Sequence, residues 1–263
     1  MTNNTNDTMK LNDIRIIGES NIGEGPFGLV RILGEANAQD DLVCRELRVT
    51  GEVKAGKNLT CQNARIVGEV EIRGGCTIQT ATIIGEMEVG GNCMAQNASV
   101  IGEVKVAGDW QSSMADVRGR LSVKGQCASE TITVQGSLNV EGLLNFDLAE
   151  IISNHPSRIQ ELGGRRIVVR KPKMDWKRLW IIPPNPFRIV ILEAQSIEAD
   201  DIDIDYTTAA VVRGSRVRIG ENCRIGKVEY SESLIVENGA DIGEREKTVD
   251  GYSSHQTNCH RHK

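Results

Sequence analysis

Glycine returns along this chain with a fixed step, at Gly18, Gly34, Gly51, Gly68, Gly85, Gly102, Gly119 and Gly136. After a first interval of 16 residues every interval is 17. A period of this length, held over many copies, is the mark of a repeat architecture. Each copy is one supersecondary unit that cannot bury its apolar face alone, so it must stack on its neighbours.

Numbering each glycine as position 1 aligns the rest of the unit. Position 3 reads Ala36, Val53, Val70, Met87, Val104, Leu121 and Leu138, and position 5 runs from Ala38 and Ala55 to Val123 and Val140. Positions 9 and 11 hold Leu42 and Cys44, Leu59 and Cys61, Cys76 and Ile78, and Cys93 and Ala95. Position 16 is Val or Ile from Val49 to Ile151, while positions 2, 4 and 15 are mostly charged or small and polar. Period-two alternation in three short segments, near 3–5, 9–11 and 14–16, predicts three strands per unit. Gly, Asn, Asp and Thr gather near 6–8, 12–13 and 17–1, where corners are expected. The unit is therefore one rung of a triangular β-helix, an all-β β-solenoid with 17-residue rungs. Gly34, Gly51, Gly68, Gly85, Gly102, Gly119 and Gly136 mark one corner. Eight such rungs at a spacing of ~4.8 Å make a rod of roughly 38 Å.

Aromatic residues are only 3% of the chain, so a core of this kind is built from Val, Ile, Leu, Ala and Cys. Five of the seven cysteines fall on inward columns: Cys44 with Cys61, and Cys76 with Cys93 and Cys127. They are expected to be buried, reduced thiols that pack as small hydrophobes. Parallel stacking holds the Cβ atoms of such neighbours too far apart for an easy disulfide.

The period lapses at Asn154 and returns later, where Val217, Ile219, Cys223 and Ile225 recur as Leu234, Val236, Ala240 and Ile242. The expected organisation is a tail at 1–13, a β-helix at 14–152, an insert at 153–189, a second, shorter β-solenoid segment at 190–244 and a tail at 245–263. Within the insert Ser157 to Leu162 is expected to form a turn of helix and Arg166 to Arg170 a strand. Pro183, Pro184 and Pro186 forbid regular structure after them.

Two glycine motifs suggest phosphate binding and lack its context. Gly51 to Asn58 has the spacing of a phosphate-binding loop, but Asn58 stands where the metal-binding Ser or Thr belongs and no helix follows. Gly23, Gly25 and Gly28 match a dinucleotide pattern, yet Pro26 sits inside it and again no helix is expected. The Glu column at position 2, from Glu35 to Glu103 with Glu19 leading it, reads as a solvated face relieved by Lys54, Arg73 and Lys105. A docking surface for a basic partner is its alternative. All four histidines lie outside the rungs, three of them around Cys259 in a tail whose metal affinity would be adventitious. No catalytic, cofactor-binding or metal-binding residue is expected.

The net charge of −5 argues against a nucleic-acid binder. The N-terminus has no secretory h-region, and no apolar run approaches the ~18 residues of a membrane span. The insert gathers Arg165, Arg166, Arg170, Lys171, Lys173, Lys177 and Arg178 beside Trp176 and Trp180. Trp176, Lys177, Arg178 and Trp180 are candidates for contact with an anionic membrane surface. The alternative is a flap that caps a solenoid end through Trp180, Ile181 and Ile182.

The rungs Gly51–Val53–Ala55, Gly68–Val70–Ile72, Gly85–Met87–Val89 and Gly102–Val104–Val106, with no catalytic polar cluster, resemble the bactofilins, polymer-forming bacterial cytoskeletal proteins. The stretch from Val211 to Gly243 looks like the C-terminal region of two-part members from Gram-positive bacteria. This resemblance implies a right-handed β-helix and a non-enzymatic scaffold without cofactor. It implies assembly end to end into nucleotide-independent filaments that organise cell-shape, cell-wall or motility and flagellar machinery. The implied partners are the chain itself, paralogous bactofilins and cell-envelope or flagellar proteins. The implied setting is the cytoplasm, including the inner face of the cell membrane. The short apolar N-terminal membrane motif of many members is missing, which shifts any membrane contact to the Trp176/Trp180 insert. Exposed strand edges at the ends of a solenoid favour addition of another copy. Phe27 and Leu29 near one end, and Leu144 and Phe146 near the other, are the candidate polymerisation contacts. A left-handed β-helix acyltransferase and a carbohydrate-binding β-helix are the competing readings. The first is prompted by Ile219-Gly220 and Ile225-Gly226, but no rung carries the histidine such chemistry needs.

Overall fold

In the computed structural model of the chain, the described residues are 11–153, 155–172 and 190–248. Among them all regular structure is strand. The first seven strands are β1 (Asn12–Ile22), β2 (Pro26–Ala38), β3 (Leu42–Ala55), β4 (Leu59–Ile72), β5 (Cys76–Val89), β6 (Cys93–Val106) and β7 (Trp110–Val123). The remaining six are β8 (Cys127–Ile152), β9 (Ser157–Arg170), β10 (Leu192–Ile204), β11 (Thr207–Ile219), β12 (Arg224–Val236) and β13 (Asp241–Lys247). Each strand pairs in parallel with the next in sequence, so that one thirteen-stranded sheet runs in the order β1 to β13.

That order dictates a winding. Between Ala55 and Leu59 only a few residues separate two parallel neighbours. A straight strand of that size would be ~45 Å long, and such a gap could not carry the chain back. Each strand must instead bend around the molecule. The burial pattern of β4 gives the cross-section: Leu59 and Cys61, Ala64 and Ile66, then Val70 and Ile72 point inward as three pairs. Gln62 and Asn63 separate the first two pairs, and Val67, Gly68 and Glu69 the second two. Three sides with two inward residues each make a triangle, so the expected rung is observed.

One inward column shows how far the stacking runs. It reads Ile16, Ile32, Val49, Ile66, Ile83, Val100, Val117 and Val134 in the first eight turns. It continues through Ile151, Val169, Ile204, Ile219 and Val236. Thirteen turns at ~4.8 Å make a rod of about 58 Å, longer than the eight expected rungs. Val134 and Ile151 both belong to β8, which passes a corner without a break. The two expected segments are therefore one continuous rod, joined by β9, which pairs with β8 on one side and β10 on the other.

Two expectations about the region after Ile152 are thereby corrected. Ser157 to Leu162 is strand, because Ser157, Ile159 and Leu162 take inward positions against the neighbouring turn. The expected strand at Arg166 to Arg170 is present as the second part of β9. The region read as an insert thus contributes a full turn, and the connection between turns shrinks to the residues between Arg170 and Leu192.

Corners close the backbone accounts. At the glycine corner Gly34 to Gly136 have φ between +128° and +146°, a region essentially closed to side chains. At the corner before position 9, Asp41 Oδ1 accepts from the Asn58 backbone at 3.0 Å and Asn58 Oδ1 from Gly75 at 2.7 Å. Asn92 and Asp109 repeat the arrangement on Asp109 and Gln126 at 2.9 and 2.8 Å. Each short side chain replaces a ladder bond that a bent strand cannot make to itself.

Inside the rod Trp110 stands between Cys93 and Cys127 in one column. Its indole N–H donates to Ser112 Oγ at 3.0 Å, Ser112 shares a hydroxyl bond of 2.8 Å with Ser129, and Ser129 donates to the Thr131 carbonyl at 3.0 Å. The indole thus brings its polar atom into the core already satisfied.

Candidate functional site

The candidate site is a corner that the repeat builds as parallel lines of like side chains. The sequence around the glycine reads RIIGE at 15–19, RILGE at 31–35, RVTGE at 48–52 and RIVGE at 65–69. It continues as TIIGE at 82–86 and SVIGE at 99–103, then DVRGR at 116–120. In-register pairing stacks Arg15, Arg31, Arg48 and Arg65 in one line. Ile17, Leu33, Thr50, Val67, Ile84 and Ile101 form a second line, and Glu19, Glu35, Glu52, Glu69, Glu86 and Glu103 a third.

The glycines let these lines approach. A Cβ built on Gly85 would lie 2.1 Å from the carbonyl oxygen of Gly68 in the turn below. Without side chains at the apex, the apolar line lies along one flank and the carboxylates along the other. The apolar line is open to solvent, with Ile17 70% exposed, Ile101 48% and Ile84 39%. An apolar ladder broken only by Thr50, and exposed at Ile17, Val67, Ile84 and Ile101, is a surface with an unmet preference for burial.

The charged lines are costly as they stand. Like charges one turn apart repel by roughly 0.8 kcal/mol per neighbouring pair in water before salt screening. Some relief is local: Lys54 pairs with Glu52 at 2.6 Å, Lys105 with Glu103 at 3.6 Å, Arg120 with Glu103 at 3.2 Å and Arg48 with Glu46 at 2.6 Å. Arg15, Arg31 and Arg65, and Glu19, Glu35, Glu69 and Glu86, make no ion pair among the described residues.

The later turns follow the opposite rule, with sign alternating from one turn to the next. Arg216 reaches down to Asp201 at 2.6 and 2.8 Å and up to Glu232 at 3.0 Å. Arg218 joins Asp203 at 2.6 Å, Asp205 at 3.0 Å and Glu237 at 2.8 Å. Lys227 bridges Glu229 at 2.8 Å and Glu246 at 2.7 Å, and Arg213 also pairs with Glu229. The hydrogen bonds and charge of Arg216 hold the Asp201 carboxyl below its ordinary range, and Lys227 and Arg213 do the same for Glu229.

The cysteines offer no site on the surface. Cys44, Cys61, Cys76, Cys93, Cys127 and Cys223 are buried free thiols, as the columns required of the first five. Burial pushes Cys127 up to about 12 and Cys223 up to about 11. Contact with the Cys61 thiol, then burial, raises Cys44, and the same causes raise Cys76 beside Cys93. Among the described residues no group of three or more His, Cys, Asp and Glu is arranged to hold a metal. No helix among them is long and apolar enough to cross a membrane.

The expected polymerisation contacts fare unequally. Phe27 is buried in the second turn and Leu29 half-buried beside it, where the Leu29 amide donates to Asp13 Oδ1 at 2.8 Å. These two lie near the β1 end. Leu144 and Phe146 lie at neither end: they are 0% and 4% exposed in β8, covered by Leu162 and Gly164 of β9. Their assignment to an end is corrected by the continued stacking of β9 to β13. Trp176, Lys177, Arg178 and Trp180 fall outside the described residues.

The connection between Arg170 and Leu192 departs from the same corner as the glycine line, because Val169 and Leu192 flank it as positions 16 and 3 of their turns. A shallow groove there is lined by Glu103, Arg120, Ser137, Ser153, His155 and Pro172. The arginine line and the apolar line were missed from sequence, although the fourfold recurrence of Arg, four residues before Glu across the glycine, was available to find them.

Comparison with known proteins adds relatives over part of the chain. The uncharacterized protein YhbF of Bacillus subtilis strain 168 is 34% identical over 107 residues, 40% of this chain and 42% of that protein. The uncharacterized protein YhbE of the same organism is 38% identical over 104 residues, 38% of this chain and 41% of that protein. The chain spans about two-fifths of the length of these relatives. No family model matches, and no solved structure matches.

Proposed function

We propose that the chain is a non-enzymatic, self-assembling scaffold of the bactofilin kind, built to extend end to end into filaments without nucleotide. The observation that carries this reading is the unbroken parallel stacking of thirteen strands, in which β1 and β13 each have a single neighbour. Among the described residues the outer edges of both end strands are unpaired, and a row of unpaired backbone donors and acceptors is a template for another chain. The two ends differ. β13 is short and reads DIGEREK with no buried residue, a charged edge of the kind that discourages pairing. β1 is longer, turns Ile16 and Ile22 inward and rests on Phe27. It is the better surface for addition of a copy. The proposed setting is the cytoplasm and the inner face of the cell membrane, where such filaments would organise envelope or motility machinery.

Negative-stain images of the purified chain without nucleotide test the reading. Filaments many times longer than the ~58 Å rod are expected. Dispersed short rods at every salt and protein concentration tried would overturn it.

A further inference from the structure

The lines of charge on the glycine corner have an arrangement that selects a partner. Around each of the first four turns the order is arginine, apolar residue or Thr50, glycine, glutamate. Two such edges can face each other in two symmetric ways. If the two-fold axis lies across the rods, which then run antiparallel, arginine faces arginine and glutamate faces glutamate. If the axis lies along the rods, which then run parallel, each arginine line faces the partner's glutamate line and each apolar line packs over the partner's bare glycine line. The seventh turn agrees with the second arrangement. There the signs are exchanged, with Asp116 in the arginine line and Arg120 in the glutamate line, and the two still face opposite charge at the same height.

We propose that this corner is a lateral interface between two copies of the chain lying side by side, parallel and in register, with Arg15, Arg31, Arg48 and Arg65 against the partner's glutamate line. The inference goes beyond end-to-end assembly and stands without it, since it needs only the first seven turns. It also accounts for the contrast between the halves of the rod. The later turns neutralise their own charges turn by turn, whereas the earlier ones repeat a sign down each line, an arrangement that is favourable only with a complementary surface alongside. Seven turns span ~29 Å of edge, and a contact of that length and side-chain width buries on the order of 900 Å² in total, below a standard stable interface. The pairing is therefore weak for one rod and grows with the number of rods joined end to end.

Charge exchange tests this on the whole chain. Arg31→Glu with Arg65→Glu makes both lines negative in the second and fourth turns, and Glu35→Arg with Glu69→Arg makes both positive there. Sedimentation velocity at about 0.05 M salt, at protein concentrations below the onset of filaments, is expected to show wild-type dimers, and each double variant alone should weaken pairing at least ~10-fold. An equal mixture of the two variants should restore pairing to within ~3-fold of wild type, because both facing lines are again opposite in sign. Circular dichroism of each variant confirms that it is folded. Orientation is read by a short bismaleimide cross-linker on Ile17→Cys and Ile101→Cys chains carrying Cys259→Ser. Parallel pairing cross-links each variant to itself; antiparallel pairing cross-links them only to each other, in the mixture. A wild type that stays monomeric at low salt, variants that pair like wild type, or a mixture that fails to recover each overturns the proposal, whether the edge is then free or taken by a basic protein. Negative-stain images separate it from the filament reading. Charge-reversed chains should still form filaments, of single width. Filaments of single width from the wild type count against lateral pairing alone, and paired rods that never elongate count against end-to-end assembly alone.

Discussion

Phe146 and Gly164 face each other where β9 stacks on β8, and the ring occupies the space that a side chain on Gly164 would take. A Cβ there would lie 2.3 Å from the Phe146 carbonyl oxygen and 2.4 Å from its ring. This contact closes the seam between the regular turns and the later ones. Gly164→Ala is expected to destabilise the protein by about 3 kcal/mol or more, and Phe146→Ala, which leaves a cavity, by about 3–5 kcal/mol. Adding Phe146→Leu to Gly164→Ala should recover only part of the loss, because the carbonyl remains in the way. Urea unfolding measures all three.

The glycine corner makes a sharper demand. Gly85 combines a φ of +132° with a neighbouring carbonyl oxygen 2.1 Å from any Cβ, so Gly85→Ala meets strain and collision together. It should cost about 3 kcal/mol or more. Gly23 has open space around its Cβ position, and Gly23→Ala should stay within about 0.5 kcal/mol of wild type. Equal effects in thermal melts would show that the corner tolerates a shift that its backbone spacing does not allow.

Thiol chemistry reports on the core. Cys93 and Cys127 are separated by Trp110, two turns or about 10 Å apart, beyond disulfide reach. All six described cysteines are buried, and four have thiols raised above their ordinary value. Labelling by a disulfide reagent at neutral pH is expected to follow unfolding rather than a fast surface rate. Rapid stoichiometric labelling of Cys127 in the native protein would contradict its placement.

Acid should act on the later turns. Asp201 and Glu229 have carboxyls held below their ordinary values by Arg216 and by Lys227 with Arg213. Groups with depressed folded pKa values contribute stability that is full above the unfolded values of ~3.9 and ~4.3 and is lost as pH falls through the folded ones. Hydrogen-exchange protection factors in β10 to β13, taken relative to the intrinsic rate at each pH, should therefore be unchanged from pH 7 to about 5 and fall below about 4. Arg216→Gln should remove the part of that acid dependence that belongs to Asp201. Both carboxylates are half-buried within ion pairs at the rod surface, so the changes will be modest.

Much of the rod was legible because its columns repeat: once Gly51, Gly68 and Gly85 are aligned, Val53, Val70 and Met87 have to share a face. The turn formed by β9 was not. Its inward positions are filled by Ser157 and Gly164 as well as by Ile159 and Leu162, so the apolar signal is diluted. A register shift between Val140 and Leu143 breaks the step of 17. From β10 to β11 the step is shorter still, Leu192 pairing with Thr207. With that seam hidden, Leu144 and Phe146 looked like an end, and the candidate contacts were divided between a true end and the middle of the rod. The glutamate line was visible singly. Its meaning depends on the arginine line across the glycine, and only the register of neighbouring turns places the two side by side.

The common register of β3 to β8 has a consequence for how such a chain can change over generations. Turn for turn, Gly51, Gly68, Gly85, Gly102, Gly119 and Gly136 occupy the same place and touch only the copy below and the copy above. Slippage that duplicates or removes one whole copy leaves every remaining column in contact with its like. Length is thus a heritable quantity that can vary in whole steps, while a gain or loss of a single residue puts each later side chain on the wrong face.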